Sequence, residues 1–358
     1  MEAMARLRAR MDADGIGAML VSDPVNVAWL TGFSGSFGRV IVTSEHALLI
    51  TDSRYVLQAK EEVPWMPLAT FASPTDADVF IGERAKALGV DKLGFESAST
   101  TYASWQRSAS KVTGIELQPV KDIFADLRMI KSPAEIEKIK AACGIADAAF
   151  AHIIRMIQPG VTEYDLCLDL EFFMRRQGAD IAFPSIVVSG ERSARPHGKP
   201  SEKKLAVGDF VTMDFGARLA GYNSDITRTV VVGEASARHR EIYAAVLEAQ
   251  LWSLDALRPG VLARDVDAGA RAILSKYELA QYFGHGLGHG LGRVVHDGGR
   301  LSAMSDNTIE PGQIWTIEPG VYIEGLGGVR IEDDVLVTED GIEILTHSPK
   351  ELMLLPPA

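Results

Sequence analysis

The chain has 358 residues, 47% of them apolar and 23% charged, and its 48 acidic against 36 basic side chains leave a net charge of -12. That size and composition allow one large or two ordinary domains with full cores and exclude wholesale disorder. The acid excess argues against a general grip on nucleic-acid phosphates, and no apolar run reaches the roughly 20 residues of a membrane span. The start, MEAMARLRARMDADG, is charged and amphipathic rather than a signal peptide. With Cys143 and Cys167 as the only cysteines, the expectation is a cytoplasmic protein without disulfides.

Residues 3–13 have the spacing of a helix, and Gly17 to Val21 read as a buried strand. Val40 to Tyr55 read as two strands around a polar turn at Ser44-Glu45. A helical stretch, a strand near Lys92 to Phe95 and another helix follow. This α/β pattern defines a first domain, residues 1–128, with no acid–base cluster or metal-ligand spacing. A second, residues 129–358, opens at Ser132-Pro133-Ala134-Glu135, a helix start with Ser as N-cap, Pro at the first position and Glu reaching back. Apolar residues from Ile136 to Ile157 repeat at helical spacing until Gln158-Pro159-Gly160. Thr162 with Asp165 caps the next helix.

The second domain repeats itself weakly. Pro159-Gly160-Val161 has a counterpart in Pro259-Gly260-Val261. Gly208 to Gly216 (GDFVTMDFG) resembles Gly312 to Gly320 (GQIWTIEPG). Each segment runs from a strand into an acid and a glycine turn. A duplicated helix–helix–hairpin unit would set two acid-bearing hairpins face to face across a pseudo-twofold axis.

Asp214 and Asp225 flank one turn, and Glu318 and Glu332 flank another that contains Glu324-Gly-Leu-Gly-Gly. All four stand in apolar strand sequence. An unpaired buried carboxylate costs several kcal/mol or more, of the order set by desolvation, and four together repel unless cations or protons neutralise them. The plainer alternative is four unrelated strand acids, some at an edge and some bridged to Arg228 or Arg330. Five glycines within Gly284 to Gly292 (GHGLGHGLG) disfavour a helix. In an extended segment the alternation puts His285 and His289 on one face and lets another backbone approach the glycines. His296 follows closely. Four carboxylates with at least one imidazole suit Mn²⁺, Co²⁺ or Zn²⁺ rather than a thiolate-seeking metal, and their charge balances two divalent ions. No GxSxG elbow, P-loop or CxxC pair supports a competing chemistry.

At these residues the sequence resembles the M24 metallopeptidases of the pita-bread fold, in particular their proline-specific branch of aminopeptidase P and prolidase. The matching segments are MDFGARLAGYNSDITRT, HGLGHGLGRVVHD, TIEPGVYI and GGVRIEDD, and WLTGFSGS and TDSRY resemble the creatinase-type N-terminal domain. The resemblance implies an α/β creatinase-like domain followed by an α+β pita-bread domain with an internal pseudo-twofold repeat. It implies Asp214, Asp225, His289, Glu318 and Glu332 as ligands of two divalent ions, manganese first, with Asp225 and Glu332 bridging. It implies His197, Glu318 and His296 as catalytic groups, and His285, His296, Tyr322 and Arg330 as substrate-binding or supporting ones. One departure stands out: His296-Asp297-Gly298-Gly299 lacks the proline often found after this histidine, which bears on the shape of the substrate pocket.

The activity implied is hydrolysis of the bond between an N-terminal residue and a following proline, that of an Xaa-Pro aminopeptidase acting on proline-containing peptides. The alternative is a prolidase that cleaves only Xaa-Pro dipeptides. A non-catalytic peptide-binding module or a metal-free creatinase-like hydrolase would lack the metal acids, and all are present. By analogy with the family the chain is expected to form a homodimer, with no nucleic-acid or membrane partner.

Overall fold

In the computed structural model, which describes residues 2–356, the first unit ends at Leu127 and the second begins at Arg128. The first is built from α1 (Glu2–Ala13), β1 (Ala18–Val21), α2 (Pro24–Thr31), β2 (Arg39–Thr43), β3 (Ala47–Asp52), α3 (Val56–Glu62), β4 (Leu68–Phe71), α4 (Ala77–Ala87), β5 (Lys92–Glu96), α5 (Tyr102–Lys111) and β6 (Glu116–Val120), followed by α6 (Ile123–Met129). Its six strands form one mixed sheet in the order β4-β3-β2-β1-β5-β6. Alternation along the strands splits the core in two. Met19, Val21, Val40 and Val42 pack with Leu7 and Met11 of α1. Ala18, Ile41, Ile50 and Leu93 pack on the other side with Ile81 and Ala85 of α4.

The second unit opens with α7 (Pro133–Ile153), where Glu135 accepts from both the Ser132 N–H and hydroxyl at 2.9 Å. The apolar run predicts a helix through Ile157, but α7 stops at Ile153. The Arg155 and Met156 N–H groups turn to carbonyls only three residues back, a tighter turn that ends the helix. Ile157 is buried all the same. Then come α8 (Glu163–Arg176), β7 (Asp180–Ile181), β8 (Ile186–Ser189), β9 (Phe210–Phe215), β10 (Ala217–Leu219), β11 (Tyr222–Asn223) and β12 (Ile226–Val232). A second series follows: α9 (Ala237–Ala256), α10 (Ala263–Ser275), β13 (Gly288–His289), β14 (Arg300–Leu301), β15 (Ile314–Ile317), β16 (Gly320–Ile323), β17 (Gly327–Arg330) and β18 (Asp333–Val337). β19 (Ile342–Ile344) and β20 (Leu354–Leu355) close the chain.

The two series share matching backbone bonds at their turns. Gly160 N–H donates to Leu205 O and Gly260 N–H to Ile309 O; Gly208 N–H donates to Val232 O and Gly312 N–H to Val337 O. Bridges join Thr162 to Lys204 and Leu262 to Thr308. Each helix pair covers one face of its own strands. Phe150, Leu166 and Leu170 pack on Val187, Val211, Met213 and Val230, while Val246, Val266 and Ala270 pack with Trp315, Ile317 and Val335. Each fully buried Val, Leu, Ile, Met or Phe among them contributes about 1.5–3 kcal/mol. The uncovered inner faces carry the polar residues. Among the described residues, no helix is long and apolar enough to cross a membrane.

Candidate metal centre

Alternation along β9 sends Val211 and Met213 toward the helices and leaves Thr212 and Asp214 on the inner face. Asp214 stands opposite Thr227 of β12, and Asp225, two residues before Thr227, turns the same way. In the second half Ile317 stands opposite Asp333, so Glu318 and Glu332 close the end of that ladder. The Glu332 N–H donates to Thr227 O at 3.1 Å, joining the two hairpins.

His289 comes in from β13. Its N–H donates to Thr316 Oγ1 at 3.0 Å. Its Nε2 lies 3.4 Å from Glu318 Oε1 and 3.6 Å from Asp225 Oδ2. Ligand atoms of Asp225, His289 and Glu332 all lie within 4.8 Å of one another. The segment around His289 differs from the long extended run that its alternation predicts. Only Gly288–His289 pair in a ladder, and the chain bends at His285 and Leu287. The expected close approach does occur: a Cβ on Gly288 would sit 2.0 Å from the Thr316 carbonyl oxygen.

The remaining predicted residues surround this cluster. Arg330 pairs with Asp214 through Nη2, and its Nη1 donates to Tyr322 Oη at 2.7 Å. Tyr322 Oη meets His285 Nε2 at 2.8 Å. The rings of His289 and His296 are 4.1 Å apart between centroids. His197 is exposed, yet it lies near enough for its charge to act on His285 and His296. Its segment reaches the centre through Pro196, whose carbonyl accepts from Arg330 Nη1 at 3.5 Å. The plainer alternative thus holds for one acid, since Arg330 does bridge Asp214. Arg228 instead pairs with Asp333 at 2.7 Å, so among the described residues the other three acids have no arginine partner of that kind.

Three supporting groups carry no sequence signal of their own. Thr227 Oγ1 donates to Glu332 Oε2 at 2.6 Å and accepts from Arg330 Nε at 3.0 Å. Asp334 Oδ2 accepts from the Asp225 N–H at 2.8 Å and from the Cys143 thiol at 3.3 Å. Thr316 Oγ1 donates to Glu318 at 3.2 Å. The nearest hint is the acid run Glu332-Asp333-Asp334, all of it buried.

Burial, with Glu332, Asp214, Asp334 and Glu318 nearby, pushes the Asp225 carboxyl far above the usual range. Burial with Glu318 and Asp214 does the same to Glu332. Glu318 is raised to about 8 by burial, against the pull of Arg330. Burial opposes the Arg330 charge, yet Tyr322, Asp214, Glu318 and Glu332 outweigh it and hold the charge firmly. Burial and the neighbouring His296 lower His289 to about 3, and burial and Arg330 lower His285 to about 4, so both imidazoles are neutral. Such a cluster attracts cations. Asp214 Oδ1 is buried with no hydrogen-bond partner among the described residues, and carboxylate oxygens with a neutral imidazole are the donors that divalent transition metals take. The residues present fit a divalent metal site.

Comparison with known proteins agrees with this chemistry. Residues 137–339 match the family described as Metallopeptidase family M24, and residues 4–130 match the Creatinase/Prolidase N-terminal domain. The structure aligns with an Xaa-Pro dipeptidase from Bacillus anthracis at a TM-score of 0.96 and 44% identity, covering 99% of each chain. It aligns with an X-Pro aminopeptidase from Thermotoga maritima at a TM-score of 0.90 and 36% identity, over 96% of this chain and 99% of that one. The sequence is 39% identical over 354 residues to an Xaa-Pro dipeptidase of Pyrococcus furiosus, covering 98% of this chain and 99% of the relative.

Proposed function

The chain belongs to metallopeptidase family M24, a metallo-exopeptidase with a creatinase-type N-terminal domain, and from that premise we propose that it is an Xaa-Pro dipeptidase. The observation that carries the hydrolytic chemistry is the convergence of Asp225, His289 and Glu332 within 4.8 Å, with Glu318 beside them and Asp214 close enough to act on their charge. The choice of dipeptides departs from the aminopeptidase expected from sequence. Relatives named Xaa-Pro dipeptidases at 39–44% identity support the alternative better.

Asp214, Asp225, His289, Glu318 and Glu332 would hold the metal ions, with Mn²⁺ suited to so oxygen-rich a set. When bound, divalent ions supply Lewis-acid polarisation of the scissile carbonyl and a water acidified toward neutral pH. The protein groups do the rest. Glu318 carries a proton to the leaving proline nitrogen, which is a tertiary amide before cleavage and must be protonated to depart. His197 hydrogen-bonds the oxygen on which negative charge develops. His285 and His296 flank the pyrrolidine ring, which offers no N–H and is recognised by shape. The chain His285–Tyr322–Arg330–Asp214 fixes the wall on that side.

The test is hydrolysis of Ala-Pro against Ala-Pro-Ala by manganese-reconstituted enzyme. Cleavage confined to Ala-Pro is the expected result. Equal kcat/KM on both peptides would return the reading to aminopeptidase.

A further inference from the structure

Glu163 is the first residue of α8, is fully buried and takes no part in the carboxylate cluster. Helix capping does not explain it, because Thr162 is the N-cap and accepts from the Asp165 N–H at 3.0 Å. Glu163 faces the ends of the segment that carries His197. Its Oε1 accepts from the Ser189 N–H at 2.7 Å and the Ser189 hydroxyl at 2.9 Å. Its Oε2 accepts from the Ser201 N–H at 3.1 Å and the Ser201 hydroxyl at 2.7 Å. Arg192 Nε, within the segment, donates to the same carboxylate at 3.1 Å.

The backbone adds to this clasp. The Tyr164 N–H donates to Ser201 O at 3.1 Å, and the Glu163 N–H to Lys203 O at 3.0 Å. The far side of the segment rests on β17. There the Gly328 N–H donates to Ser193 Oγ at 2.8 Å, and Arg330 reaches the Pro196 carbonyl. A fully desolvated carboxylate is tolerated only where its lone pairs are filled. Here they are filled by residues 189, 192 and 201, so withdrawing the carboxylate loosens both ends of the segment together and leaves only backbone bonds to hold them.

We propose that Glu163 is a positioning residue: it closes the neck of residues 189–201 and thereby fixes where His197 meets the substrate. The proposal rests on the peptidase reading, in which His197 touches the substrate. An alignment error of about an ångström at such a group is enough to slow the chemical step without abolishing binding.

The test is a double-mutant cycle on metal-loaded, full-length enzyme with Ala-Pro as substrate, reading kcat, KM and bound metal. Glu163→Gln is expected to lower kcat about tenfold while KM and metal content stay within about twofold. In a His197→Ala background the same change should cost less than about twofold, because the group it positions is gone. If Glu163→Gln does not fold, Ser201→Ala removes the hydroxyl bond at one end of the clasp alone and is expected to show a smaller loss with the same dependence on His197. Equal losses in both backgrounds, or an undiminished kcat in the folded Glu163 or Ser201 variant, overturn the proposal while leaving the peptidase reading intact. A His197→Ala enzyme at the full rate overturns the role of His197 and the proposal with it.

Discussion

Asp225 is placed by groups far along the chain: its N–H is held by Asp334, and its carboxylate meets His289. Asp225→Asn should reduce Ala-Pro hydrolysis below about 1% and lower the metal bound per chain, measured by elemental analysis. Unchanged rate and metal content would remove Asp225 from the ligand set. Thr227 acts one step out. Thr227→Val leaves Glu332 Oε2 and Arg330 Nε each short of a partner. It should cost about 1–3 kcal/mol in denaturant unfolding and weaken metal binding by about 10- to 100-fold in chelator competition. The four acids stand out in the sequence because a carboxylate inside apolar strand sequence is out of place unless something neutral or cationic meets it, whereas the glycine alternation marks His285 and His289 alike and only the family resemblance singles out His289. Thr227 and Asp334 were not legible. Their partners lie 105 and 109 residues away, and a threonine in a strand is ordinary. Glu163 was hidden for the same reason, behind a helix cap that accounted for its neighbours.

The elements were read best where local chemistry decides them. The Ser132-Pro133 start of α7, the Thr162 cap of α8 and the strands on either side of Ser44 and Glu45 all form as expected, because caps and turns are short-range. Structure departs from local pattern where packing decides. α7 ends at Ile153 although its apolar spacing continues, since spacing reports which face is buried and not which hydrogen bonds persist. The segment Gly284 to Gly292 is bent rather than evenly extended, because its glycines are shaped by the carbonyls pressed against them. Gly288→Ala tests this directly. The added methyl meets a backbone oxygen that cannot swing aside, so the variant should lose about 1–3 kcal/mol in thermal or denaturant unfolding. Its metal affinity should fall as well, since His289 is the next residue. A stable variant with full metal content would show that β13 can shift freely.

At the scale of the whole molecule, the buried acids make the catalytic unit depend on its ions. A metal that binds only the folded chain stabilises it by about 2.7 kcal/mol at a hundredfold excess over Kd. Chelation should therefore lower the melting temperature in calorimetry, and manganese should restore it. A melting temperature indifferent to chelator would mean that the carboxylates are neutralised in some other way. The weak internal similarity between Gly208 to Gly216 and Gly312 to Gly320 was enough to anticipate matched halves. Their depth emerged only from the paired bonds at Gly160 and Gly260 and at Gly208 and Gly312.

The correspondence between those halves leaves an imprint on the centre. The stretch joining α8 to β9 carries His197, and the equivalent stretch joining α10 to β15 carries His285, His289 and His296. A symmetric pair of separate subunits would have to present identical groups to both sides of the cleft. Fusion into one polypeptide removes that obligation. In the proposed reading one linker would bring an ion ligand together with groups that meet the reactant, while its twin would bring only His197, so a twofold frame encloses an uneven workplace.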